Sequence, residues 1–186
     1  MKKPSVTIFA GVNGSGKTTF YYDALESGLN FGYRVNIDEI VSAFGDWREQ
    51  KDQVRASKIA IKLRNGYIKD RADFNIETTL SGSSIIHLIH NLKQNGYVIT
   101  LYYIALKSPE LAKERVDIRV AKGGHNIDYK LIKRRFNTSL ENLLKLVSIC
   151  DEIILYDNSL QEFEFVLKKS TTQDFKHTLK EWISRL

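Results

Sequence analysis

Short apolar runs alternate with amphipathic segments along the whole chain. Five runs are rich in aromatic and β-branched residues and are bounded by turn residues, which is typical of β-strands. They are VTIFAG from Val6, YRVNID ending at Asp38, DFNIETT around Ile76, YVITLYYIAL over 97–106 and EIILYD over 152–157, with FEFVLKK from Phe163 as a sixth candidate. The two longest are continuously apolar, as expected of parallel strands that are covered on both faces.

Between these runs, apolar residues recur every three or four positions, which predicts amphipathic helices. We predict helices over 50–65, after a cap at Ser83 or Ser84, from Ser108-Pro109 to Gly123-Gly124, after a cap at Asp128, and over 175–186. Strands that alternate with helices indicate an α/β fold, with a doubly wound, mainly parallel sheet of five or six strands. Because no linker or repeat interrupts the pattern, we expect a single domain over 1–186.

Composition narrows the class of protein. The chain has 186 residues, 42% hydrophobic and 27% charged, which is ordinary for a globular protein with a substantial core. Its single cysteine, Cys150, excludes an internal disulfide framework and fits the reducing cytoplasm, which is the location we expect. The apolar run 6–12 is short and leads into a phosphate-loop pattern, so we interpret it as a buried strand and not as a targeting segment. No stretch approaches the roughly 18 apolar residues of a membrane span, so we expect no membrane association.

The segment after the first predicted strand has the pattern Gly-x-x-x-x-Gly-Lys-Ser/Thr, as GVNGSGKT over 11–18. A strand before it and a helix after it are the context that this phosphate-binding loop requires. Backbone N–H groups and the helix N-terminus surround the phosphates, Lys17 neutralises the outer ones, and Thr18 offers its hydroxyl to Mg²⁺. The residues predicted to bind nucleotide are Gly11, Asn13, Gly14, Ser15, Gly16, Lys17, Thr18 and Thr19.

Two carboxylates are predicted at the ends of neighbouring strands. Ligands of open α/β sheets bind beyond the carboxyl ends of the strands, where Asp38 and Glu77 are expected. A carboxylate that orients a hydroxyl and accepts its proton helps phosphoryl transfer to an alcohol, and Asp38 is the better candidate. The alternative for Asp38 is a helix N-cap for EIVSAF. Glu77 is expected to bind an acceptor hydroxyl or to reach Mg²⁺ through water, and its alternative is a solvated strand end.

Positive charge is concentrated after the fourth predicted strand, where one short stretch carries +5 of the formal net charge of +6. Its basic residues are Arg115, Arg119, Lys122, Lys130, Lys133, Arg134 and Arg135. The first three share one helix face, and the last two follow a Gly-Gly-His turn. We predict a lid over 108–135 that supplies arginines to the transferred phosphate and excludes water. The alternatives are a solvated helical face or a surface that binds nucleic acid.

Taken in order, AGVNGSGKTT, NIDEI, FNIETTLSG, RVDIRVAKGGHNI and IKRRFNTSLENL resemble segments of the zeta-toxin-like P-loop kinases, especially the short bacterial members. The resemblance runs from about residue 5 to residue 160. The phosphate loop is common to many NTPases, whereas the Glu-Thr-Thr-Leu-Ser-Gly and Gly-Gly-His segments are much more specific. Zeta toxins phosphorylate a sugar hydroxyl of UDP-N-acetylglucosamine, and an antitoxin protein holds them inactive.

The resemblance implies a P-loop kinase fold with a helical lid, ATP or GTP as phosphate donor with Mg²⁺, and an antitoxin protein as partner. It further implies that Asp38 is the catalytic carboxylate, that Glu77 helps to hold the acceptor, and that Arg119 and Arg134 are the lid arginines. The complete set of catalytic candidates is therefore Lys17, Asp38, Arg119 and Arg134. The acceptor-binding candidates are Glu77, Thr78, Thr79 and His125.

Three functions stay open at this point. The first is a kinase that phosphorylates a hydroxyl of a small molecule, such as a nucleotide sugar. The second is a polynucleotide 5′-kinase, in which the basic stretch binds the nucleic-acid backbone. The third is a nucleotide-dependent switch or antitoxin-binding protein without useful catalysis. We favour the first, with no nucleic-acid partner, because Asp38, Glu77 and the lid arginines are more than a switch needs.

Overall fold

The computed structural model describes residues 2–160, 162–169 and 171–186. The strands are β1 (Ser5–Ala10), β2 (Tyr33–Val35), β3 (Phe74–Thr78), β4 (Val98–Ala105), β5 (Glu152–Asp157) and β6 (Glu164–Lys168). The helices are α1 (Lys17–Glu26), α2 (Ile37–Ser42), α3 (Gln50–Lys69), α4 (Ser83–Gln94), α5 (Pro109–Ala121), α6 (Tyr129–Leu146) and α7 (Thr172–Ile183).

The strands form one sheet in the order β2-β3-β1-β4-β5-β6. The first five strands in this order are parallel, and β6 pairs antiparallel with β5 at the edge. This arrangement confirms the predicted α/β fold and the sixth strand. The carboxyl ends of β3, β1 and β4 lie side by side, and the connections that leave them meet at one edge of the sheet. Within the described residues, no helix is long and apolar enough to span a membrane.

The sheet has a different kind of core on each face. Alternate residues of β1 and β4 enter the larger core with α4, α5, α6 and α7, among them Ile8 and Leu101, both fully buried. The opposite face carries an aromatic cluster under α1, in which the Phe9 ring packs against Tyr21 and Tyr102. This cluster seats α1 on the sheet directly behind the phosphate-binding loop.

Helix ends follow the sequence signals in two of the predicted places. Ser108 caps α5 by accepting from the Leu111 N–H, and Asp128 caps α6 by accepting from the Lys130 and Leu131 N–H groups. The predicted cap at Ser83 or Ser84 is wrong, because Gly82 holds the cap position and Ser83 already begins α4.

The second strand is shorter than predicted. It ends at Val35, because Asn36 turns the chain into α2 and caps that helix with its side chain. Asp38 therefore lies in the first turn of α2, neither at the strand end nor at the cap position that was its alternative.

Candidate active site

The phosphate-binding loop is held in shape by close backbone packing. Gly16 has a left-handed conformation (φ 91°) and caps α1, and a Cβ there would lie 2.5 Å from Asn158 Nδ2. Asn158 is buried and donates from Nδ2 to the Ser15 carbonyl at 2.9 Å. A Cβ on Gly14 would lie 2.7 Å from the Ala112 carbonyl of α5. Glycine at both positions thus lets α5 and the segment after β5 support the loop from outside.

Lys17 is buried at the start of α1. Its Nζ donates to the Val12 carbonyl at 3.1 Å, which folds the side chain back over the loop. Burial lowers the pKa of Lys17, whereas the charges of Glu77 and Asp38 act to raise it. The two carboxylates thus stabilise the ammonium group at the position that a phosphate-binding lysine requires.

Thr18 faces Glu77 across the carboxyl ends of β1 and β3. The Thr18 hydroxyl lies 2.9 Å and 3.1 Å from the two carboxylate oxygens of Glu77. Glu77 also accepts from Asn36 Nδ2 at 2.9 Å. The hydroxyl and the carboxylate predicted from separate parts of the chain therefore lie in direct contact.

Asp38 projects from α2 into the same cleft. The Asn36 side chain accepts from the Asp38 N–H at 2.9 Å, which fixes the first turn of α2. Desolvation raises the pKa of Asp38, and the nearby charge of Glu77 raises it further, while Arg119 and Lys17 act to lower it. The carboxyl group is open to the cleft on one side, so a bound hydroxyl can reach it.

The lid arginines do not all lie where the sequence placed them. Arg119 lines the cleft and donates to the His125 carbonyl at 3.0 Å. Arg135 also lines the cleft and donates to Asn13 Oδ1 of the phosphate-binding loop at 2.8 Å. Arg134, by contrast, is exposed on the outside of α6. The cause is helical geometry: from buried Ile132, Arg134 lies about 200° around the helix and Arg135 only about 60°.

The predicted residues surround one cleft of about 560 Å³. Its lining includes Asn13, Gly14, Gly16, Lys17, Thr18, Thr19, Asp38, Glu77, Thr78, Thr79, Arg119 and His125. Gly11 and Ser15 are buried within the loop beneath it. The lining also includes Trp47, Gln53 and Ser57 of the α2–α3 region.

His125 closes the cleft at the tip of the lid. Its ring contacts the Trp47 ring. Burial lowers the pKa of His125 to about 4, with Arg119 and Arg135 acting in the same direction. His125 is therefore neutral at pH 7 and contributes hydrogen-bonding capacity without adding to the positive charge.

These residues fit a nucleoside triphosphate with Mg²⁺. Gly14 and Gly16 keep the loop backbone clear of Cβ atoms, and Lys17, Arg119 and Arg135 offset phosphate charge. Among the described residues, no group of three or more His, Cys, Asp or Glu side chains could hold a metal ion alone. The Thr18 hydroxyl beside one carboxylate suits Mg²⁺, which is commonly shared between a few protein oxygens, waters and the phosphates of the substrate.

Sequence reasoning missed three contributors to the site. Arg135 was placed in the lid segment but not among the site residues, although its i, i+3 spacing from Ile132 could have placed it on the inner side of α6. Trp47 lies in a loop with no motif. Arg34 reaches Glu77 from the edge strand, at a sequence separation that no local signal spans.

The sequence matches the Zeta toxin family over residues 1–163. An uncharacterized protein of Haemophilus influenzae is 33% identical to it over 132 residues, which are 69% of this chain and 90% of that protein.

Solved structures show the same fold. The PezAT toxin–antitoxin system of Streptococcus pneumoniae gives a TM-score of 0.73 at 22% identity, covering 97% of this chain and 78% of that chain. A putative kinase from Chloroflexus aurantiacus gives 0.61 at 15% identity, covering 99% and 98%. The Pnkp1/Rnl/Hen1 RNA repair complex gives 0.63 at 23% identity, covering 78% of this chain and 47% of that chain. At these identities the likeness is one of fold.

Proposed function

Because this chain belongs to the zeta toxin family of P-loop kinases, we propose that it transfers the terminal phosphate of ATP or GTP to a hydroxyl of a small polar acceptor. The observation that carries the proposal is the convergence of Lys17, Thr18, Asp38 and Glu77 in one cleft. A loop that only binds nucleotide needs the first two residues. Transfer to an acceptor also requires a carboxylate that can orient the acceptor hydroxyl, and Asp38 lines the cleft where it can do so.

Asp38 is the general base in this proposal. The acceptor O–H donates to the Asp38 carboxylate, which takes the proton as the oxygen attacks the terminal phosphorus. The bond from that phosphorus to the leaving diphosphate breaks, and the nucleoside diphosphate departs. The raised pKa of Asp38 makes it a stronger proton acceptor than an ordinary aspartate.

The cations of the cleft hold the phosphates. Lys17 reaches the outer phosphates from the loop, while Arg119 and Arg135 face the charge that develops on the transferred group. Thr18 and Glu77, which are in contact, would hold Mg²⁺, and the ion would supply charge neutralisation when bound. The lid segment over 108–135 excludes water, which favours the bound alcohol over hydrolysis.

The acceptor side of the cleft favours a polar ring compound. Trp47 offers an aromatic face, and Gln53, Ser57, Thr78 and Thr79 offer hydrogen-bonding groups. Sugars combine an apolar ring face with several hydroxyls, so this lining suits a nucleotide sugar. UDP-N-acetylglucosamine, the acceptor implied by the resemblance, is the first compound to test.

The proposal is tested by an acceptor screen. Purified protein is incubated with labelled ATP, Mg²⁺ and either UDP-N-acetylglucosamine or a metabolite extract, and products are identified by mass. A phosphorylated small molecule that forms with the wild type and is lost in Lys17→Ala supports the kinase. If ATP binds but no acceptor is phosphorylated, the protein is a nucleotide-dependent switch and the proposal is wrong.

The alternative of a polynucleotide 5′-kinase has one observation in its favour. Lys122, Lys130, Lys133 and Arg134 are all exposed on the outer surface of the lid segment. Binding of single-stranded RNA or DNA with an affinity that falls steeply with salt, together with labelled 5′ ends, would favour this alternative. A 5′-hydroxyl oligonucleotide is therefore included among the acceptors.

An antitoxin partner is part of the same proposal. The PezAT structure is described as a toxin–antitoxin system, and family membership carries this partner to the present chain as a prediction. Expression of the wild type and of Lys17→Ala from one inducible promoter tests for toxicity. Growth arrest by the wild type alone would show that an inhibitor is needed, whereas equal growth would remove the reason for one.

A further inference from the structure

Arg34 on the edge strand β2 makes an unusual number of contacts for a residue outside the phosphate-binding loop. Its Nη2 donates to Glu77 at 2.9 Å, and its Nε donates to the two carboxylate oxygens of Glu39 at 2.9 Å and 3.1 Å. Its Nη1 donates to Asn75 Oδ1 at 3.1 Å. Every nitrogen of the guanidinium group is therefore used, and each contact fixes its orientation.

The Arg34 guanidinium group also stacks on an aromatic ring. Its carbon lies 3.6 Å from the centre of the Tyr21 ring, a cation–π contact with a buried residue of α1. Tyr21 lies one helical turn after Lys17. Asn75, fully buried, directs its Nδ2 toward the carbonyls of Phe31 and Tyr33, where the chain enters β2. Arg34 thus connects α1, β2, β3 and α2 through one planar group.

These contacts lead to both carboxylates of the proposed reaction. The side chains of Arg34 and Glu77 are 12% and 13% exposed, so the ion pair is well shielded from solvent. Glu77 also accepts a hydrogen bond from the Thr18 hydroxyl at 2.9 Å. Glu39 lies next to Asp38 in the first turn of α2, so the Arg34–Glu39 pair also restrains the backbone that carries Asp38.

We propose that Arg34 is a positioning residue, which holds Glu77 against Thr18 and sets the distance between Glu77 and Asp38. This inference rests on the proposed kinase function for its effect on rate, but not for its effect on geometry. A planar fork that makes several directed bonds and stacks on an aromatic ring cannot be replaced by the compact ammonium group of lysine. Charge alone would be preserved in Arg34→Lys, whereas the geometry would not.

The test compares Arg34→Lys with Arg64→Lys. Arg64 is a partly buried arginine on α3 outside the cleft, so its variant controls for loss of a guanidinium group. We expect Arg34→Lys to lower kcat by roughly 10- to 100-fold, the scale of a misplaced reacting group. Turnover is measured at saturating ATP and Mg²⁺ and expressed per folded molecule, so that a loss of affinity or of stability is not counted as a loss of kcat. Turnover of Arg34→Lys equal to that of the control would overturn the proposal.

A double-variant cycle identifies the route of the effect. If Arg34 acts through Glu77, Arg34→Lys combined with Glu77→Gln should turn over no more slowly than Glu77→Gln alone. Losses that multiply would show that Arg34 acts apart from Glu77 and would contradict its role in holding Glu77 against Thr18.

Crystal structures of the ligand-free wild type and Arg34→Lys separate this inference from the kinase function. We expect the Glu77 carboxylate to leave the Thr18 hydroxyl in the variant. An unchanged Glu77–Thr18 contact would refute the positioning role, whatever the enzyme assay shows. If instead the contact is lost but even the wild type phosphorylates no acceptor, the positioning role stands and the kinase proposal fails.

Discussion

At the scale of single residues, Asp38 tests whether the phosphate is transferred to an acceptor hydroxyl. Asp38→Asn keeps the shape of the side chain but removes its charge and most of its basicity. We expect acceptor phosphorylation to fall by roughly 10²-fold or more, the scale of a positioned acid–base group, with ATP binding close to wild type. Acceptor-free ATP hydrolysis should fall less, because water does not need the same docking.

The two rates are measured on the same preparation, as product formation with acceptor and phosphate release without it. Equal loss of both would make Asp38 a magnesium or nucleotide ligand. No loss of either would remove the general base from the proposed mechanism.

The raised pKa of Asp38 makes a separate prediction for pH dependence. Burial and Glu77 raise this pKa, against the opposing charges of Lys17 and Arg119. Because the base works only when ionised, the acid limb of kcat/KM should lie above the ordinary aspartate pKa and disappear in the residual activity of Asp38→Asn. An acid limb at the ordinary aspartate value would contradict this account.

Stability should follow the same ionisation. A folded-state pKa above the unfolded value means that the stability contributed by protonated Asp38 is fully present below the unfolded pKa and is lost as the pH rises through the folded pKa. The stability of Asp38→Asn relative to the wild type should therefore improve as the pH rises through this range. Urea unfolding at several pH values measures it, and a difference that does not change with pH would contradict the shift.

At the scale of elements, the rotation of α6 about its axis determines which arginine lines the cleft. Arg135 contacts Asn13 of the phosphate-binding loop, while the neighbouring Arg134 is exposed. We expect Arg135→Ala to lower kcat by roughly 10-fold or more, with a smaller effect on nucleotide affinity, because its contacts strengthen as charge develops. Arg134→Ala is the matched control, one residue away on the same helix, and should stay close to wild type.

Steady-state kinetics with ATP titrations on both variants decide between the two arginines. The reverse result, with Arg134→Ala impaired and Arg135→Ala active, would support the original expectation from the resemblance. It would also require a rotation of α6 when the lid closes.

At the scale of the whole molecule, α7 extends the core beyond the region that matches the family. Leu179 is fully buried and packs in the larger core with α6. We expect Leu179→Ala to lower the free energy of unfolding by about 2–4 kcal/mol through lost burial and the cavity that remains. Leu63→Ala, on the exposed side of α3, should change it by less than about 1 kcal/mol.

Urea unfolding of both variants gives the comparison, with turnover per folded molecule measured alongside. If Leu179→Ala is as stable as Leu63→Ala, α7 is not part of the cooperative fold. If turnover per folded molecule falls in Leu179→Ala, α7 also supports the site.

Much of the fold could be predicted because its signals are local. Apolar runs bounded by turn residues placed all six strands, and Ser108 and Asp128 capped their helices as expected. The errors are also local. At Asn36 and at Gly82, the residue that caps the helix lies before the one chosen from the sequence. Asn36 accepts from the Asp38 and Glu39 N–H groups, and Gly82 caps α4 without a side-chain hydrogen bond, so the preference of serine for the cap position did not decide that helix start.

By itself, the sequence determined the phosphate-binding loop and the alternating α/β order, because each depends on residues close together along the chain. It also named Asp38 and Glu77 as candidates, although Asp38 lies in the first turn of α2 and not at a strand end. Only the tertiary structure decided that Arg135 rather than Arg134 lines the cleft, and that Arg34 holds Glu77 from the edge strand. Strand order and helix rotation bring together side chains that are distant in sequence. The Arg34–Glu77 contact is set by packing of the whole sheet, so no local pattern in the chain encodes it, whereas the helical spacing from Ile132 bears on which side of α6 carries Arg135.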